Sequence, residues 1–179
     1  MKSALLIIDV QRGLFDDAPH PHDAEQVIER INGLAAKARA AAAPVLFIQH
    51  ERASGFLEFD SPGWQLDPRL VVLEGDVLLR KTTPDSFLRT TLAEQLATWG
   101  TEQVVICGYA SEYCVDTTTR RAAALGFAVT LAADAHTTHD KPHAPAALIS
   151  AHHNATLSAL TSFGPRIQAV PSGDIKFDA

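Results

Sequence analysis

Residues 104–119 read VVICGYASEYCVDTTT, and this stretch decides how the rest of the chain is interpreted. The apolar run up to Gly108 is typical of a buried strand, and the residues after Cys114 have helical character. A strand, a tight turn and a helix start would place Cys114 near a helix N-terminus, where unpaired N–H groups favour negative charge. A thiol in that position has a depressed pKa and becomes a nucleophile more easily. A small buried cysteine after a strand is the alternative interpretation.

Length and composition limit the class of protein. A chain of 179 residues is long enough to bury a substantial core, so we expect a single domain over residues 1–179. The hydrophobic fraction of 46% and the charged fraction of 20% are ordinary for a soluble globular protein. The net charge of −6 argues against a nucleic-acid binder or a membrane-surface binder, because both need a basic face. A small anionic substrate held by one or two local cations remains compatible with this charge.

The two cysteines, Cys107 and Cys114, match neither a zinc ribbon nor a C-x-x-C redox pair. Since one is expected in a buried strand and the other on a helix, we expect no disulfide and a reducing, cytoplasmic setting. The N-terminus enters an apolar strand at once, so we expect no signal peptide. No apolar run is long enough to span a bilayer, and we expect no membrane partner.

Strand and helix patterns alternate along the chain. Short apolar runs predict six strands, at 4–8, 45–48, 77–79, 104–108, 128–133 and 167–170. Helical spacing predicts a helix that begins after the N-cap candidate Asp23 and ends before Pro44, and further helices near 86–99, 113–125 and 144–160. This alternation predicts an α/β fold of three layers, with a six-stranded, mostly parallel sheet and helices on both faces.

Three reactive residues, Asp9, Lys81 and Cys114, fall at the carboxyl ends of predicted strands. Ligands of parallel sheets bind beyond those ends, so we expect the three side chains to share one edge. A carboxylate can take a thiol proton, a lysine can stabilise both anions, and a thiolate can attack an electron-poor carbon to form a thioester. Taken singly, Asp9 is equally well explained as a turn or cap residue, and Lys81 as a solvated charge.

In this order the motifs resemble those of the isochorismatase-like cysteine hydrolases, a superfamily that includes nicotinamidases and carbamoyl-amide hydrolases. The resemblance covers nearly the whole chain and is carried chiefly by LLIIDVQ at 5–11, KTTPDSF at 81–87 and GYASEYCV at 108–115. It implies that Asp9 is a general base, Lys81 the cation beside it and Cys114 the nucleophile. It also implies a cis peptide between Tyr109 and Ala110, and an oxyanion hole formed by the N–H groups of Ala110 and Cys114.

The implied reaction is hydrolysis of a C–N bond, of the amide or carbamoyl type, in a small molecule through a thioester and without a cofactor. Nicotinamidases carry an Asp-x-His pair and a further histidine for a metal ion. Here Gln49-His50-Glu51-Arg52 stands in that place, so we expect no metal site and disfavour a nicotinamidase. His50 is interpreted as a residue of the pocket or of the long loop 51–69, and the late histidines of 136–153 as polar surface.

Two other functions stay open. An isochorismatase-type vinyl-ether hydrolase uses the same fold and needs no thiol, and a redox-sensing thiol protein needs no positioned base. Phe15, Trp64 and Tyr113 are the candidate substrate-binding residues, because they could shape an apolar pocket. The resemblance also implies a homo-oligomer, a dimer or a tetramer, whose other partner is the small-molecule substrate.

Overall fold

The computed structural model describes residues 1–178. Within them, six strands form one sheet in the spatial order β3–β2–β1–β4–β5–β6. Every neighbouring pair is parallel, so the sheet is wholly and not just mostly parallel. The strands are Ser3–Ile8 (β1), Val45–His50 (β2), Val77–Lys81 (β3), Gln103–Tyr109 (β4), Ala128–Thr137 (β5) and Ile167–Val170 (β6).

Helices cover both faces of this sheet. They are Arg12–Phe15 (α1), Ala24–Ala40 (α2), Leu92–Trp99 (α3), Asp116–Ala124 (α4) and Ala146–Ser158 (α5), and a π-helical turn at Ser111–Val115 leads into α4. Leu5 and Ile7 of β1 pack on the side of α2. Leu6 and Ile8 pack on the side of α3 and α4, which explains why β1 is apolar at successive positions. The predicted three-layer α/β/α fold is therefore confirmed. No helix within residues 1–178 is long and apolar enough to cross a membrane.

Some element boundaries differ from the sequence prediction. The helix expected from about residue 86 begins at Leu92, because the preceding segment folds as turns in which the Ser86 and Thr118 hydroxyls bond at 2.9 Å. Asp23 occupies the N-cap position of α2, but its backbone is left-handed and its side chain makes no capping hydrogen bond. β2, β3 and β5 run further than predicted, and their added residues lie at the carboxyl edge of the sheet.

Strand β5 is irregular where it approaches that edge. Ile106 pairs with Leu131 and Gly108 with His136, so β5 advances five residues while β4 advances two. The extra residues form a bulge, and bulges of this kind re-aim side chains next to functional sites. Here the irregularity brings His136 level with Gly108, just before the turn that carries Cys114.

Gly108 of β4 lies directly beside Ile8 of β1. Its φ is +113°, and a Cβ placed on it would lie 2.1 Å from the carbonyl oxygen of Ile8. No other residue fits this backbone without moving one of the strands.

We expect Gly108→Ala to lower the free energy of unfolding by about 3 kcal/mol, because the methyl group combines a strained φ with a clash against β1. Urea denaturation measures the change. The matched control is Gly33→Ala in α2, where a Cβ would meet nothing within 4 Å and helix propensity favours alanine. Equal stability of Gly108→Ala and the wild type would contradict the close approach.

Candidate active site

The carboxyl edge of the sheet brings Asp9, Lys81 and Cys114 into contact. Lys81 Nζ donates a hydrogen bond to Asp9 Oδ2 at 2.7 Å and to Cys114 Sγ at 3.2 Å. The Lys81 and Asp9 side chains are 0% and 3% exposed. Taking two charges out of water carries a large desolvation penalty, so such a pair persists only with good geometry and further hydrogen bonds.

Local backbone geometry positions Asp9 and Cys114, the two side chains to which Lys81 donates hydrogen bonds. Asp9 directly follows β1 and has a left-handed φ of +52°, a region that aspartate tolerates better than most residues. Its N–H donates to the carbonyl oxygen of Ile48 at 2.8 Å. Cys114 lies inside the π-helical turn, a rare conformation that often occurs at functional sites.

The turn begins directly after the Tyr109–Ala110 peptide, which is cis, as the resemblance implies. The Ala110 carbonyl oxygen accepts hydrogen bonds from the N–H groups of Tyr113 and Val115, the residues on either side of Cys114. The Ala110 N–H itself donates to no acceptor within residues 1–178. An unengaged backbone donor is therefore present next to the thiol.

Lys81 has further partners. His50 Nδ1 lies 3.0 Å from Lys81 Nζ, and the carbonyl oxygen of Thr83 lies 3.2 Å away. Asp9, His50 and Cys114 each offer a ligand atom of the kind that binds metals, and the three atoms lie within 4.8 Å of one another. The ammonium group contacts all three, so a protein cation occupies the position that a metal ion would take.

The pKa of the Cys114 thiol is raised to about 12, mainly by burial and next by the Asp9 carboxylate, while Lys81 opposes the rise. The expectation of a depressed pKa is therefore wrong, because Cys114 is packed into the sheet edge beside an anion and does not lie at the open end of a regular helix. At neutral pH the thiol keeps its proton. Asp9 Oδ1 is buried and has no hydrogen-bond partner within residues 1–178, so it is available to accept one.

A cavity of about 370 Å³ opens onto these groups, a size suited to a small molecule. Its polar lining comes from Asp9, His50, Arg52 and Cys114, and its remaining lining from Leu14, Leu57, Pro84, Tyr109, Ala110 and Tyr113.

Comparison with known proteins establishes the family. The isochorismatase domain matches residues 3–162 of the chain. The chain belongs to the isochorismatase family. A solved structure described as an isochorismatase family protein superposes with a TM-score of 0.85 at 32% identity, covering 94% of this chain and 97% of that chain. The fold and the sequence resemblance are thus those of the isochorismatase family.

Two relatives of this isochorismatase-family member are streptothricin hydrolases of Streptomyces noursei. One is 36% identical over 176 residues, covering 94% of this chain and 64% of the relative. The other is 36% identical over 143 residues, covering 79% of this chain and 57% of the relative. The chain therefore spans less than two thirds of the length of both proteins.

Of the predicted substrate-binding residues of this family member, Tyr113 lines the cavity, whereas Phe15 and Trp64 do not. Phe15 is buried in the core beneath α2, where its ring meets the edge of the Tyr109 ring at 5.8 Å. Trp64 packs against Phe59 in the long loop, with ring centroids 5.0 Å apart. The lining aliphatic residues are Leu14 and Leu57.

Gln11, which was not among the predicted site residues, fixes the long loop of this isochorismatase-family member. Its side chain is fully buried, and its Nε2 donates to the carbonyl oxygens of His50 at 3.0 Å and Trp64 at 2.8 Å. Its Oε1 accepts the His50 N–H at 2.9 Å. Because one amide binds both ends of the segment, the residues between His50 and Trp64 are held over the cavity. The position of Gln11 two residues after Asp9 in LLIIDVQ is the signal that could have identified it.

His136, interpreted from the sequence as polar surface, is in fact buried behind the nucleophile turn. Asn154 Nδ2 donates to the Ala133 carbonyl oxygen, so Asn154 Oδ1 accepts a hydrogen bond from His136 Nε2 at 2.9 Å. His136 Nδ1 then accepts from Ser111 Oγ at 2.7 Å. Ser111 Oγ in turn accepts from Ser150 Oγ at 2.9 Å. The chain of hydrogen bonds fixes a neutral tautomer of His136 and anchors the first residue of the π-helical turn.

Burial lowers the pKa of His136 and also the pKa of His50. In the unfolded chain these imidazoles titrate at about pH 6.5, so below that pH the unfolded state binds more protons than the folded state. We therefore expect the free energy of unfolding to be fully maintained above about pH 6.5 and to fall as the pH decreases towards the folded pKa values. Urea denaturation between about pH 7.5 and about pH 5.5 measures the slope.

We expect His136→Gln to show a shallower pH slope than the wild type, because one of the contributing imidazoles is removed. His152→Gln, at an exposed position of α5, controls for the loss of one imidazole and should keep the wild-type slope. An unchanged slope in His136→Gln would show that the buried network does not carry the effect.

Proposed function

We propose that this isochorismatase-family hydrolase cleaves a C–N bond, of the amide or carbamoyl type, in a small molecule through a thioester on Cys114. The observation that carries this proposal is the buried contact of Asp9, Lys81 and Cys114 beside a cavity of small-molecule size. A thiol that keeps its proton at neutral pH needs a base in direct reach, and the free oxygen of Asp9 supplies one.

In the first half of the proposed reaction, Asp9 Oδ1 takes the thiol proton as Cys114 Sγ bonds to the carbonyl carbon. Lys81 donates hydrogen bonds to both Asp9 and the sulfur, so it stabilises the developing thiolate without moving. The resulting oxyanion accepts hydrogen bonds from the N–H groups of Ala110 and Cys114. Collapse of this tetrahedral intermediate breaks the C–N bond, and the proton on Asp9 passes to the departing ammonia or amine.

In the second half, Asp9 takes a proton from a water molecule that attacks the thioester carbon. The second oxyanion rests on the same two N–H groups. Its collapse breaks the C–S bond, and the proton on Asp9 returns to the Cys114 sulfur. The products are a carboxylic acid, or a carbamic acid in the carbamoyl case, and the starting form of the site.

The two alternative functions use less of this geometry. A vinyl-ether hydrolase has no need of the contact between Lys81 and the Cys114 sulfur, and a redox-sensing thiol has no need of the Asp9 carboxylate. The high pKa of Cys114 also disfavours a sensor, because oxidation requires thiolate character. The relatives named as streptothricin hydrolases support a hydrolytic reaction.

The assembly and the cellular location stay proposals as well. We propose a homo-oligomer, which is supported by exposed apolar side chains on and near the edge strand β3, among them Leu73 and Leu78 at 51% and 58% exposure. We propose a cytoplasmic location, which is supported by the two free thiols of Cys107 and Cys114. Light scattering of the purified protein tests the first of these proposals.

Ammonia release from a panel of small amides and carbamoyl compounds tests the function, with intact-mass detection of an acyl adduct on Cys114. We expect ammonia and a transient adduct from at least one compound. Pyruvate release from isochorismate that survives Cys114→Ala would replace the proposal with vinyl-ether hydrolysis. Reversible sulfenylation without any turnover would replace it with redox sensing.

A further inference from the structure

His50 presents a hydrogen-bond donor to the cavity. Its Nδ1 lies 3.0 Å from Lys81 Nζ, and an ammonium group can only donate, so Nδ1 is the accepting nitrogen. The hydrogen of the neutral ring is therefore on Nε2, which has no partner within residues 1–178. Burial and the charge of Lys81 lower the pKa of His50, which keeps this neutral form in place at working pH. Because the ring lines the cavity, its Nε2–H is available to a bound ligand.

Arg52 adds an unneutralised positive charge to the same cavity. Seven arginines of the described chain form an ion pair with a carboxylate, whereas Arg52, Arg89 and Arg166 form none. Of these three, Arg52 alone lines the cavity. The Arg52 backbone is held in place, since its N–H donates to the Leu57 carbonyl oxygen at 2.9 Å. The guanidinium lies 5.9 Å from the Phe56 ring centre. Arg52 thus has a fixed backbone and an exposed guanidinium without a protein counterion.

The charges that line the cavity do not cancel. Asp9 and Lys81 neutralise each other at 2.7 Å, and Glu51, next to Arg52, is paired with Arg80. The remaining lining is aliphatic or aromatic apart from His50 and the thiol. The cavity lining is therefore net positive, although the whole protein carries a net charge of −6 and is acidic on balance elsewhere. A positive lining attracts an anionic ligand.

We propose that His50 and Arg52 form a carboxylate-binding subsite, so that the preferred substrate is a small amide that also carries a carboxylate. This inference rests on the proposed function and adds the class of substrate. The substrate carboxylate accepts hydrogen bonds from the Nε2–H of His50 and the N–H groups of Arg52. A short aliphatic segment between the carboxylate and the amide contacts Leu14 and Leu57. Charge-assisted hydrogen bonds of this kind are the strong ones in protein recognition.

The test compares three matched sets of amides with the wild-type protein. These are the monoamides of malonic, succinic and glutaric acid, their methyl esters, and chain-length-matched amides that end in an amine. We expect kcat/KM for the best monoamide to exceed that of its ester and of its amine counterpart by about 10- to 100-fold. Equal or better turnover of the neutral or cationic compounds would overturn the subsite.

Two substitutions separate the subsite from general effects of charge. We expect Arg52→Gln to lower kcat/KM for the monoamide by about 10- to 100-fold and to leave the ester within about threefold. Arg89→Gln is the matched control, because Arg89 is exposed, carries the same charge and lies outside the cavity lining. A uniform loss on all three compound classes in Arg52→Gln would assign Arg52 a structural role and overturn the proposal.

Direct binding distinguishes this inference from the proposed function. The dicarboxylate products, malonate, succinate and glutarate, are titrated into wild type and Arg52→Gln by calorimetry. Binding by at least one of them that weakens about 10-fold or more in Arg52→Gln supports the subsite even if no amide is hydrolysed, in which case the proposed function alone fails. Absence of binding by all three, or equal binding to both proteins, overturns the subsite.

Discussion

Cys114→Ala is expected to reduce amide hydrolysis by at least about 10³-fold, because no other group beside the cavity can form the thioester. The fold should persist, since the substitution removes a single sulfur atom from a turn that is held by Ser111 and by the Ala110 carbonyl oxygen. Steady-state ammonia release measures the first effect. Circular dichroism with urea denaturation measures the second.

The chain supplies its own control for this experiment. Cys107 is fully buried in the core on β4, and its thiol donates a hydrogen bond to the Leu6 carbonyl oxygen at 3.6 Å. We expect Cys107→Ala to keep turnover within about threefold while it loses about 1–2 kcal/mol of stability through the lost packing. Near-wild-type turnover in Cys114→Ala would exclude covalent catalysis through this thiol.

Asp9→Asn is expected to have two large effects at once. Turnover should fall by about 10³-fold or more, because an amide oxygen is a poor acceptor for the proton of the Cys114 thiol. The free energy of unfolding should also fall by about 3–5 kcal/mol, since the substitution leaves the Lys81 ammonium buried without its counterion. Ammonia release and urea denaturation of the same preparation separate the two effects.

A second substitution identifies the origin of the stability loss. Asp9→Asn combined with Lys81→Met should be more stable than Asp9→Asn alone, because both buried charges are then absent. Asp16→Asn is the surface control, since its ion pair with Arg12 is exposed on both sides and should contribute less than about 1 kcal/mol. Unchanged stability of Asp9→Asn would mean that Lys81 does not depend on Asp9.

The meeting of Asp9, Lys81 and Cys114 could be predicted because it follows from topology. Each residue ends or follows a strand, and in a parallel sheet the carboxyl ends lie at one edge whatever the sequence separation. The Tyr109–Ala110 cis peptide could be predicted for another reason, since the resemblance of residues 108–115 to a known family implies it.

Properties that depend on surroundings could not be predicted in the same way. The direction of the Cys114 pKa shift depends on how far the thiol is buried and on its distance from Asp9, and neither is written in the local sequence. His136 looks like surface because its partners, Ser111 and Asn154, are 25 and 18 residues away. The β5 bulge that positions His136 also could not be predicted from the periodicity of the strand.

The sequence also could not show which of two similar apolar side chains faces the cavity. Leu14 and Phe15 are adjacent in a four-residue helix, and both are apolar, so composition alone does not decide which one faces the cavity. The same holds for Leu57 and Trp64 in the long loop. The direction in which a loop leaves its strand settles such choices, and here a buried glutamine sets that direction through backbone hydrogen bonds.

The ammonium that lies among a carboxylate, an imidazole and a thiol is supplied by the chain itself. The cation is encoded in the gene, so it arrives with the polypeptide, never dissociates and never has to be captured from a dilute cellular pool. The position that the ammonium occupies is therefore filled in every folded molecule. Replacement of Lys81 alone would leave a vacancy lined by Asp9, His50 and Cys114, three side chains of the kinds that bind metal ions.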